Sequence, residues 1–101
     1  VVPDPPQTPV VDDITAKTCV VTWQPPLNDG GAPILGYHIE RHLTSSTRWI
    51  RISKDLVYET TFRCNDLSKG SDYQFRITAE NKVGPSEPSK PSESFTAKDP
   101  W

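Results

Sequence analysis

The sequence lacks what a membrane span, a nucleic-acid surface or an active site would need. Its longest apolar runs are only a few residues, so no transmembrane helix fits within the 101 residues. No basic stretch leads into an apolar one, so no signal peptide is read. A formal net charge of −2, from 11 basic and 13 acidic residues, leaves no basic footprint for nucleic acid. No Gly-x-Ser-x-Gly elbow occurs. The paired Gly30-Gly31 has neither the Walker lysine nor a following helix, so no phosphate loop or cofactor motif is present. Asp12 and Asp13 are neighbours on an expected strand, which sends their side chains to opposite faces. The chain is therefore not expected to be an enzyme. Sequons are missing too: Asn28, Asn65 and Asn81 each fail at the third position. With only two cysteines, both at core-facing positions, this tilts the reading toward an intracellular origin.

What the chain has in excess is proline. Eleven residues are about twice the usual share, and most lie at the two ends and in one internal loop. Pro3, Pro5, Pro6 and Pro9 mark residues 1–9 as an extended, semi-rigid N-terminal linker. Between the proline clusters the apolar residues alternate. Cys19, Val21 and Trp23 share one face of a strand that Pro25-Pro26 ends, because proline cannot donate to a sheet ladder. Tyr73, Phe75, Ile77 and Ala79 share one face of the longest clean alternation, with Gln74, Arg76, Thr78 and Glu80 opposite. Further strands are expected at 10–14, 36–42 with Tyr37 and Ile39 inward, 49–52, 60–64 with Phe62 and Cys64 inward, and 92–97. Turn chemistry separates them, as at Asn28-Asp29-Gly30-Gly31 and Thr44-Ser45-Ser46-Thr47. Seven short strands with no sustained 3.6-residue stripe predict an all-β fold, a seven-stranded immunoglobulin-like β-sandwich. The domain is expected over 10–98, and residues 99–101 are an exit linker to a following domain.

Several segments carry a family resemblance. Val21-Thr22-Trp23-Gln24-Pro25-Pro26, Gly36-Tyr37-His38-Ile39-Glu40, Leu67 six residues before Tyr73, the run from Tyr73 to Asn81, and Gly84 with Ser86 together resemble the fibronectin type III family. The segment from Asn28 to Arg41, the Trp49-Ile50-Arg51 strand and the exit Ala97-Lys98-Asp99-Pro100 are similar to type III domains of the muscle giants: titin, twitchin and the myosin-binding proteins. The resemblance implies a structural and protein-binding module, a spacer and docking surface in a thick-filament-associated protein. The implied setting is the cytoplasm, in the A-band of the sarcomere. The implied partners are neighbouring immunoglobulin-like and type III domains, and myosin or another thick-filament protein. The alternative is an extracellular adhesion or receptor-ectodomain module. No Arg-Gly-Asp triplet and no Trp-Ser-x-Trp-Ser box supports that alternative.

Four groups of residues merit a structural answer. Trp23, Leu67, Tyr73, Tyr37, Phe75 and Ile77 are expected in the core, with Tyr73 resembling the tyrosine-corner residue whose hydroxyl returns to nearby backbone. Cys19 and Cys64 are expected as free buried thiols on neighbouring strands of one sheet; a bond between them requires Cα atoms within about 7 Å. His38, Glu40 and His42 alternate on an outward face, the one constellation with metal-ligand spacing, and a solvated face is the expected reading. Arg41, Arg48, Arg51, Lys54, Arg63 and Arg76 make up most of the basic surface set. An exposed Trp49, with Arg48, Arg51 and Arg76, is the expected docking face for an acidic partner, since tryptophan and arginine are favoured anchors.

Overall fold

A computed structural model describes all 101 residues, Val1 to Trp101. Eight strands form: β1 (Val10–Asp12), β2 (Cys19–Thr22), β3 (Gly36–Leu43), β4 (Ile50–Arg51), β5 (Thr61–Cys64), β6 (Asp72–Asn81), β7 (Gly84–Pro85) and β8 (Phe95–Thr96). They make two antiparallel sheets. One has the order β1-β2-β5; the other runs β4-β3-β6-β7, with β8 also on β6. The residues that alternate inward in the sequence fill the space between the sheets. Trp23, Leu67, Tyr73, Tyr37, Phe75 and Ile77 are all buried there, beside Val21, Ile39 and Ala79. The Trp23 and Tyr37 rings meet edge to face at 5.5 Å, an arrangement the aromatic quadrupole favours. The Tyr73 hydroxyl accepts the Ser68 backbone N–H at 2.8 Å, one residue past Leu67, which closes the tyrosine corner.

The last third of the chain departs from the expected pattern. The loop expected at Asn81–Pro85 is a hairpin, with Gly84 opposite Asn81. The strand expected over 92–97 shrinks to Phe95–Thr96. Residues 85–92 read Pro-Ser-x-Pro-Ser-x-Pro-Ser, and the three serines replace a strand. Ser86, Ser89 and Ser92 donate their backbone N–H to the carbonyls of Ala79, Ile77 and Phe75, at 2.7–2.8 Å. Their hydroxyls accept the N–H groups of those same residues at 2.9–3.0 Å. Each serine thus satisfies both backbone groups of one β6 residue. Prolines 85, 88 and 91 could not donate, so the repeat places a serine wherever a donor is needed. The repeat advances three residues for every two of β6, which pushes Glu87 and Lys90 out into solvent.

Residues 1–9, read as a linker, pack against the sandwich. Pro3, Pro6 and Pro9 are buried at a three-residue period. Asp4 N–H donates to the Asn28 carbonyl at 3.0 Å and Gln7 N–H to the Gln24 carbonyl at 3.3 Å. Buried Asn81 ties this segment to two loops: its amide donates to the carbonyls of Val1 and Asp29, and its carbonyl accepts from Val83 and Gly84. Gly30 is required here twice over. Its φ is +77°, and an added Cβ would lie 2.3 Å from the Val1 carbonyl oxygen.

Two stability predictions follow from these contacts. Ser89→Ala orphans the buried Ile77 N–H and should lower unfolding free energy by about 1–3 kcal/mol in urea titration, whereas exposed Ser45→Ala should be near neutral. Gly30→Ala should also lower the urea midpoint, and it should raise hydrogen exchange at Asn81 as the N-terminal segment is displaced.

Candidate functional site

The outward face of the larger sheet carries most of the residues singled out in the sequence. Antiparallel register sets Glu40 opposite both Arg51 and Arg76, and His42 opposite Gln74. Arg76 reaches back to Glu40 at 2.7 Å, and both side chains are only about a quarter exposed or less. Shielding from solvent makes this pair stronger than an open surface bridge. The Arg76 guanidinium also lies 4.4 Å from the Trp49 ring, and the His42 ring stacks on Trp49 at 3.9 Å. His42 is fixed in turn by its Nδ1–H donating to the Ser46 carbonyl at 2.7 Å, and its Nε2 lies 2.9 Å from Gln74 Oε1. Gln74 cannot rotate freely, because its amide donates to the Ser92 carbonyl. The face is therefore a connected column, Glu40–Arg76–Trp49–His42–Gln74, ending on the serine ladder.

This column corrects the expected docking face. Trp49 is half-buried between its neighbours rather than exposed, and Arg76 is committed to Glu40 and Trp49. Arg48 and Arg51 are exposed and make no ion pair, so they are the free cations flanking Trp49. The three residues with metal-ligand spacing are drawn apart to different partners: His38 to Glu80 at 2.9 Å, Glu40 to Arg76, and His42 to Gln74 and Ser46. No group of three His, Cys, Asp or Glu side chains is gathered to hold a metal ion.

Arg41 is the second correction. It belongs not to the outer basic set but to the inward face of β3, in phase with Tyr37 and Ile39. Its Nη1 donates to Cys64 Sγ at 2.9 Å and to Asp66 Oδ1 at 2.6 Å, and its guanidinium lies 5.3 Å from the centre of the Tyr73 ring. Arg41 thus bridges the two sheets at one end of the core. Asp66 is held below the usual carboxylate range chiefly by its bond to Arg41. Cys19 and Cys64 are buried and free, and they lie directly opposite each other on β2 and β5. The signal for Arg41 was present in the alternation; its charge concealed it.

Comparison with known proteins places this geometry. Residues 4–95 match the family model described as fibronectin type III domain. The chain is 47% identical over 93 residues to slow-type myosin-binding protein C of Homo sapiens, covering 92% of this chain and 8% of that protein. It is 45% identical over 94 residues to the cardiac type of Gallus gallus, covering 93% of this chain and 7% of that one. The chain thus spans less than a tenth of the length of these two relatives. Among solved structures, domains A168–A170 of titin superpose with a TM-score of 0.92 at 40% identity, covering 97% of this chain and 33% of that one. By the family match over residues 4–95 and these identities, the chain belongs to the fibronectin type III domain family.

Proposed function

We propose that this domain is a spacer and docking module of a multidomain sarcomeric protein. It contacts myosin or another thick-filament component through the edge formed by Arg48, Trp49 and Arg51. The observation that carries this reading is the identity over nearly the whole chain to slow-type myosin-binding protein C, at 47%, and to titin domains A168–A170, at 40%.

The geometry supports a division of labour. Trp49 is held rigid from behind by His42 and Arg76, so its remaining surface is presented without entropy to lose on contact. Arg48 and Arg51 beside it carry uncompensated positive charge on a chain of net charge −2. This local excess suits an acidic stretch, such as one along a myosin tail. The spacer role rests on the two ends. The N-terminal segment is hydrogen-bonded to the Asn28–Gly31 turn through Asn81 and Gly30, and Ala16 N–H donates to Asp99 near the exit at 3.1 Å. Neighbouring immunoglobulin-like and type III domains would then inherit a fixed orientation, because residues 1–9 are docked on the sandwich and residues 99–101 leave it from an anchored Asp99. The setting is the A-band of the sarcomere, and the domain contributes no catalysis.

Co-sedimentation with myosin filaments tests the face. Trp49→Ala and Arg51→Glu should each weaken binding roughly tenfold relative to wild type, with unchanged circular dichroism. Binding of wild type should fall with added salt. Equal binding by all three proteins, or binding by none, would remove this edge as the docking surface.

A further inference from the structure

We propose that Cys64 and Cys19 are a peroxide-reactive dithiol, with Cys64 the attacking sulfur, Cys19 the resolving thiol and Arg41 a positioning cation. Three independent features of the geometry converge on it. First, the pair is in bridging register. Cys19 is opposite Cys64. One step beyond the strands, Trp23 N–H donates to Thr60 carbonyl at 3.0 Å, which makes alternate pairs down to Cys19/Cys64 the hydrogen-bonded type. Such pairs have Cα atoms about 5.5 Å apart, inside the span a disulfide tolerates.

Second, Cys64 alone of the two has a fixed cation. Arg41 Nη1 donates to its sulfur at 2.9 Å and is itself locked by Asp66 and the Tyr73 ring. The groups that face Cys64 are Cys19 from β2, Arg41 from β3, Asp66 from the following loop, and Arg63, which is turned to Asn65. Together they split the pair. Contact with the Cys19 thiol, then the Asp66 backbone and the Arg41 charge, lower Cys64 to about 7 against burial and against the Asp66 carboxylate, to which the Cys64 thiol donates at 3.4 Å. The same contact with Cys64, together with burial, pushes Cys19 well above the ordinary thiol range. A thiolate beside a neutral thiol is the arrangement a two-step oxidation uses.

Third, Cys64, itself only 2% exposed, lies at the floor of a cleft of about 200 Å³ lined by Ile52, Phe62, Arg63, Asn65 and Asp66, so peroxide reaches the sulfur through that cleft alone. The cleft admits hydrogen peroxide, a molecule not much larger than a water, whose share of liquid volume is about 30 Å³. The Cys64 thiolate attacks one peroxide oxygen; an S–O bond forms, the O–O bond breaks, and hydroxide leaves and takes up a proton as water. The Cys19 sulfur then attacks Cys64 Sγ; an S–S bond forms, the S–O bond breaks, and the departing hydroxide takes the Cys19 proton. Two thiols and one peroxide become a disulfide and two waters. The product would tie β2 to β5 across the smaller sheet, so the segment between the cysteines could no longer be drawn out under load.

The test uses the folded 101-residue chain with hydrogen peroxide. Wild type should lose two hydrogen masses and yield a Cys19–Cys64-linked peptide on non-reducing digestion. Its rate should reach half its plateau near pH 7 and level off about one unit above, rather than keep rising through the ordinary thiol range. Cys19→Ser should stop at a sulfenic acid on Cys64 that dimedone traps. Arg41→Gln should slow the reaction about tenfold at pH 7, as a lost opposite charge lowers the thiolate fraction. Should Arg41→Gln unfold, the wild-type pH profile decides alone. Retention of both thiols in folded protein, dimedone trapping at Cys19 rather than Cys64, or a rate still rising above pH 8 would overturn the proposal.

Discussion

Strand β6 must have every backbone group on both of its edges satisfied, and most of the domain follows from how that is done. It is the longest strand, ten residues, and lies at the centre of the larger sheet. On one edge β3 pairs with it over eight positions, from Gly36 opposite Glu80 to Leu43 opposite Tyr73. On the other edge no continuous strand is available, because residues 85–92 are rich in proline. Short pieces at β7 and β8 hold the ends, and the hydroxyl and amide of three serines hold the middle. An unpaired buried N–H would cost about as much as a lost hydrogen bond, so the serines are as structural as the aromatics they face away from.

With β6 fixed, β3 is fixed, and β3 separates two kinds of chemistry. Its inward residues end on Arg41, which crosses to Cys64 and Asp66 on the other side of the core. Its outward residues, His38, Glu40 and His42, each engage β6 or the turn after β3. A slip of one residue would exchange the two sets. The proposed docking edge and the placement of the thiol pair are therefore two consequences of one register. They differ in what surrounds them: solvent and free cations around Trp49, a buried cation and a narrow cleft beside Cys64.

Much of this was legible from residue order. Alternation located the core residues and the long strands, and Trp23, Leu67 and Tyr73 pointed to a sandwich with a tyrosine corner. The spacing of Cys19 and Cys64 put both inward. Other features were hidden for identifiable reasons. Trp49 reads as an exposed anchor because nothing local shows that His42 and Arg76 converge on it from different strands. Arg41 reads as surface because a charge outweighs alternation in a sequence-based reading, although the interior accepts it once Asp66 and the Tyr73 ring are supplied. Residues 1–9 read as a linker because proline-rich segments look alike whether they are free or docked.

The sequence by itself determined the fold class and the inward face of each long strand, because these depend on the two-residue period of a strand and on residue chemistry. Tertiary structure alone decided which polar groups meet: Glu40 with Arg76, Arg41 with Cys64, Asn81 with Val1, and each serine with its β6 residue. Those pairings join positions far apart in the chain. Their geometry is set only when the two sheets close and the registers lock.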